Sequence, residues 1–158
     1  MSDYPSTIAK SRVSVSMNPE RTLGFSHKFN IKYSDVSCGT TSTDTNTVTL
    51  GTTPTNWMVT RAAAYVVTAF AGTTSYVMIV GTTTGSSAFL ASTAVQTANT
   101  LIQPTTGVNT TGTIASSTAS SAKTMQAVFT SAVGGSPSTL TAGELNIYLN
   151  IIDLDKLP

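Results

Sequence analysis

The stretch Glu144-Leu145-Asn146-Ile147-Tyr148-Leu149-Asn150-Ile151-Ile152 alternates in character along most of its length. Leu145, Ile147, Leu149 and Ile151 fall on one side of an extended chain, and Asn146, Tyr148, Asn150 and Ile152 on the other. Successive side chains of a strand point to opposite faces, so this period of two predicts a strand with one face in a core.

The remainder reads in the same way. Lys123 to Thr130 is strand-like and is followed by the turn residues Gly134-Gly135-Ser136-Pro137. Thr47 to Leu50 is a short strand ended by Gly51 and Pro54, and Trp57 to Arg61 begins another extended segment. Ala63 to Phe70 is apolar on both faces, which predicts a central strand with Val67 buried. Gly72-Thr73-Thr74 then separates it from Tyr76 to Val80, a spacing that predicts an antiparallel hairpin between 62–70 and 75–80. Ala88 to Val95 fits a short helix or an irregular strand, Asn99 to Gln103 is extended, and Gly107 to Ser121 is a low-complexity loop or edge strand. Toward the start, Val13, Val15 and Met17, then Phe29, Ile31 and Tyr33, alternate with polar neighbours, with Asn18-Pro19 and Gly24 as turn chemistry between them. Thr and Val are stiff at χ1 and suit a pleated surface. The expected fold is all-β: an antiparallel β-sandwich or jelly roll of about eight strands with an extended N-terminal arm.

Charge divides the chain. Only 9% of the 158 residues are charged, against about 25% in average usage. Between Asp44 and Glu144 no acid occurs, and Arg61 and Lys123 are the only bases. Five of the eight bases, Lys10, Arg12, Arg21, Lys28 and Lys32, lie in residues 1–43. The contrast predicts an N-terminal arm or meander over 1–43, with those five residues as its partner-binding set, and a sandwich body over 44–158. Charge normally keeps like molecules apart, and its depletion is the composition of interface cores. A homo-oligomer, most simply a trimer, is expected from this surface. The net charge of +1 gives no pull toward nucleic acid, and no apolar run is long enough for a membrane-spanning helix. Met1 to Pro5 lacks the basic and apolar segments of a signal peptide, and the single Cys38 fits a reducing compartment.

Catalytic templates find little to hold. His27 is the one histidine and reads as solvated or interfacial. Asp153 and Asp155 are too few for the six to eight oxygens of calcium. Cys38 lacks a neighbouring base, Gly81 to Gly85 lacks the lysine of a phosphate loop, and Asn109-Thr110-Thr111 is a chance glycosylation triplet. Trp57, Tyr65, Phe70 and Tyr76 suit a core better than a sugar-stacking platform. No catalytic, cofactor or metal residue is expected, and the protein reads as a non-enzyme.

Thr47-Val48-Thr49-Leu50, the run from Arg61 through Tyr65-Val66-Val67-Thr68-Ala69-Phe70-Ala71-Gly72, Tyr76 to Gly81, and Leu140 to Leu149 carry a resemblance. Over residues 45–152 the chain resembles the small β-sandwich proteins of tailed-bacteriophage virions, the head-decoration or appendage class. The resemblance implies a structural virion protein, assembled in the host cytoplasm, that decorates or cements a capsid and contacts the major capsid protein or another virion component. Two other readings fit the residues: a glycan- or receptor-binding tip of a phage fibre, and the capsid protein of a small virus.

Overall fold

The computed structural model describes residues 15–16, 24–37, 45–73, 75–83, 85–104, 122–131 and 135–157. These hold nine strands: β1 (Val15–Ser16), β2 (His27–Lys32), β3 (Thr45–Thr52), β4 (Trp57–Ala71), β5 (Tyr76–Thr82), β6 (Gly85–Ala94), β7 (Thr100–Ile102), β8 (Thr124–Ser131) and β9 (Ala142–Asp153). One short helix, α1 (Tyr33–Val36), follows β2.

The first sheet has the order β1-β2-β9-β4-β7 and the second the order β3-β8-β5-β6, with every pair antiparallel. From β2 onward each strand lies in the opposite sheet from its predecessor, except that β6 follows β5 in the same sheet. This interleaving of two Greek keys is the jelly roll. The expected fold class is therefore the observed one, with β1 as a two-residue addition at one edge.

Alternation builds the core. Leu145, Ile147 and Leu149 of β9 have no exposed surface, as their spacing predicts, and they sit beside Phe29 and Ile31 of β2 and Ala64 and Val66 of β4. Val48 and Leu50 of β3, Met125, Ala127 and Phe129 of β8, and Met78 and Val80 of β5 close the second sheet over them. The ambiguous segment around Ala88 is strand β6; its bulged pairing with β5 places the consecutive residues Phe89 and Leu90 both in the core.

The expected hairpin between 62–70 and 75–80 does not form. β4 pairs with β9 and β7, while β5 pairs with β8 and β6. The chain crosses between sheets at Gly72, whose φ of 107° places it where a side chain is strained and where a Cβ would collide with the Thr139 carbonyl. Interior packing decides the crossing: Phe70 and Tyr76 stack across the sandwich at 5.8 Å, and Phe129 lies 5.8 Å and 5.7 Å from them. Val67 lies outside the core, 37% exposed, because in this part of β4 the inward residues are Ala62, Ala64 and Val66.

Residues 27–36 also differ from the expected arm. β2 lies between β1 and β9, and Phe29, Ile31 and Val36 belong to the core. Tyr33 does not continue the strand: the chain turns into α1, where the Asp35 carboxylate accepts the Lys32 N–H at 2.9 Å. Val36 is anchored by its carbonyl, which accepts the buried Tyr76 hydroxyl at 3.1 Å. The boundary expected at 43/44 thus cuts one packed unit, since apolar burial joins β2 to β9. Of the expected linker over 37–46, residues 38–44 lie outside the described residues, as does all of the Gly107 to Ser121 segment, and Asn46 is a buried member of β3.

Candidate functional site

Where β2 begins and β9 ends, a cleft of about 260 Å³ is lined by His27, Thr52, Thr53, Pro54, Met125, Ile151, Asp153 and Lys156. His27 stacks on Phe29 with the rings 6.2 Å apart and 8° from parallel. Burial pushes its pKa below the ordinary histidine range, because the interior penalises the charged form. Its Nδ1 lies 2.7 Å from Ser26 Oγ. That hydroxyl is committed to strand pairing: Ser26 Oγ accepts the Ile151 N–H at 2.8 Å, and the Ser26 N–H donates to the Leu149 carbonyl at 3.0 Å. A serine nucleophile needs an oxygen free to attack and a histidine held by a third group. Ser26 instead extends the β2–β9 ladder by one residue.

The two terminal acids have separate structural tasks. Asp153 pairs with Lys156 at 3.2 Å and accepts the Asp155 N–H at 3.1 Å, capping the last short turn. Asp155 accepts the Asn56 side-chain amide at 2.6 Å. Among the described residues no three His, Cys, Asp or Glu side chains converge as metal ligands. Cys38 and the Asn109 triplet lie outside the described residues. Trp57, Phe70 and Tyr76 are at most 3% exposed, so they form no surface platform; Tyr65 alone of that set is on the outside, donating its hydroxyl to Asn99 at 3.2 Å.

The outer faces of the two sheets differ in charge. On the first, strand register places Lys28 beside Tyr148, Lys32 beside Glu144, and Arg61 beside Asn150. The Lys28 ammonium lies 5.7 Å from the centre of the Tyr148 ring, a cation–π distance. Asn30 donates to Glu144 at 2.8 Å and to Asn146 at 2.9 Å, which ties β2 to β9 on this outer surface. Of the five bases singled out from the sequence, Lys28 and Lys32 are therefore sheet residues joined by Arg61, and Lys10, Arg12 and Arg21 lie outside the described residues.

On the second sheet the strands β3, β5, β6 and β8 contain no Asp, Glu, Lys, Arg or His. Register sets Thr45, Thr130, Val77 and Ala94 in one outer row. The next holds Thr47, Val128 and Ile79, and a third Thr49, Gln126 and Gly81. The charge gap seen in the sequence becomes one continuous face through this arrangement. Its residues come from segments 45–52, 76–94 and 124–131, so no single run of sequence displays it. No protein-family model, no curated protein and no solved structure matches the chain.

Proposed function

We propose that this chain is a non-enzymatic structural subunit of a virion, decorating or cementing a bacteriophage capsid as a closed homo-oligomer of three copies. The observation that carries the reading is a jelly roll with all the charge of its strands on one sheet and none on the other. Jelly rolls serve in viral capsid domains, and also in lectins and cupins, so the fold alone does not choose among them. The distribution of charge favours assembly: a neutral sheet imposes little repulsion between copies, while Lys28, Lys32 and Arg61 on the other face supply orientation toward a charged virion partner.

The test is reconstitution. Purified protein mixed with particles lacking it is expected to co-sediment with them, and light scattering at micromolar concentration is expected to give three times the chain mass. A monomer, or protein that stays in the supernatant, overturns the reading. A glycan-binding fibre tip is the second reading, favoured by Tyr65 and Asn99 beside the exposed Leu101 on the first sheet. Specific retention on a glycan array that is lost in Tyr65→Ala would select it.

A further inference from the structure

The edges of the two sheets are built differently. Among the described residues the first sheet ends in β1, two residues long, and β7, three residues long. The second ends in β3 with eight residues and β6 with ten. Soluble proteins blunt their edge strands by shortness, by charge, especially lysine, by proline or by bulges. β3 and β6 have neither charge nor proline; each carries a bulge in its pairing with the neighbouring strand. The long edges and the outer face they border are thus uncharged together.

We infer that the outer face and long edges of the second sheet are the surface through which copies of this chain contact one another, each copy seated on the second sheet of its neighbour. The inference deepens the structural-subunit reading and rests on it. Charge selects the occupant. Seating the uncharged sheet on a neighbour's first sheet would strip water from Lys28, Lys32, Arg61 and Glu144 and offer them no opposite charge, at a desolvation cost that such contacts seldom recover. Seating it on another second sheet covers Thr47, Thr49, Ile79 and their neighbours, whose hydroxyls can pair across the contact and whose methyl groups gain from leaving water.

Area selects the symmetry. Four strands about 4.8 Å apart, seven to ten residues long at about 3.3 Å per residue, present a flat footprint of about 500 Å². A stable interface uses about 800 Å² per partner. One face-to-face contact therefore falls short of a lasting pair. In a closed ring the outer face of each copy's second sheet meets a long edge strand of the next copy's second sheet, so every copy is held by two contacts, and three copies make the smallest such ring.

The experiment compares two exposed threonines. Thr47→Lys puts a charge on the second sheet's outer face, and Thr68→Lys puts the same charge on the first sheet. Neither touches the core, and a parental far-ultraviolet dichroism spectrum with a cooperative unfolding transition would verify that both fold. Light scattering across a concentration series is expected to show the subunit dissociation constant of Thr47→Lys raised about a hundredfold or more, the range for an unpaired charge caught in an interface. Thr68→Lys and Thr47→Val should assemble as the parent does. Thr47→Lys assembling at parental concentrations, or Thr68→Lys dissociating in its place, overturns the inference while leaving the subunit reading intact. A parent protein that is itself monomeric, or that does not bind particles, overturns the subunit reading instead.

Discussion

Phe70 and Tyr76, six positions apart in the chain, stack at 5.8 Å from opposite sheets. The stack is admitted by Gly143 of β9, whose φ is 148° and where a Cβ would enter the Phe70 ring. Phe70→Ala is expected to cost about 3–5 kcal/mol, the range for an emptied aromatic site, by denaturant titration. Gly143→Ala is expected to cost about 1–3 kcal/mol from crowding and backbone strain together. The two should be coupled: in a Phe70→Ala background the Gly143→Ala penalty falls, because the ring it strikes is gone. Strictly additive penalties would mean that Gly143 does not serve the ring.

Val66 and Val67 separate inside from outside on β4. Val66 has no exposed surface and Val67 is 37% exposed. Val66→Asp buries a charge and is expected to lose several kcal/mol or the fold itself. Val67→Asp is expected to stay within about 1 kcal/mol of the parent. Reversed penalties in equilibrium unfolding would place the strand one residue out of register.

Removing residues 1–36 takes away β2 and α1, with Phe29, Ile31 and Val36 from the core. It also leaves one edge of β9 without its partner. The expected outcome is loss of the cooperative unfolding transition, seen by calorimetry or near-ultraviolet dichroism. A truncated protein that melts as sharply as the parent would restore an arm that merely hangs on the body.

His27 predicts a pH dependence with a definite sign. Burial depresses its pKa in the folded state, so the unfolded chain takes up a proton at a pH where the folded chain does not. The stability contributed by neutral His27 is present above the ordinary histidine pKa and is lost as pH falls below it. Asp153, in the same cleft, is engaged by Lys156. The melting temperature should fall between pH 7.5 and pH 5, and His27→Gln should flatten that slope. An unchanged slope in the variant would assign the acid sensitivity to other groups.

Strand identity was legible wherever a local period of two carried it. β9 shows this best: Leu145, Ile147 and Leu149 are fully buried as their spacing predicts. Pairing was not legible. Gly72 to Ser75 is as suitable for a hairpin as for a crossing between sheets, because turn chemistry reports a change of direction and carries no information about the partner strand. A continuous apolar run such as Ala63 to Phe70 is equally silent about which of Val66 and Val67 faces inward, since bulges reset the alternation.

The sequence by itself determined that this is an antiparallel β protein with almost no charge between Asp44 and Glu144, because side-chain period and composition are local properties. Only the tertiary structure decided where that neutrality is displayed. Jelly-roll winding gathers β3, β5, β6 and β8 into one sheet and sends Arg61 to the other on β4, while Lys123 falls just before β8 begins. Burial of Phe70, Tyr76 and Phe129 against one another drives that winding, and contacts between residues far apart in sequence are set by the packing of the whole core.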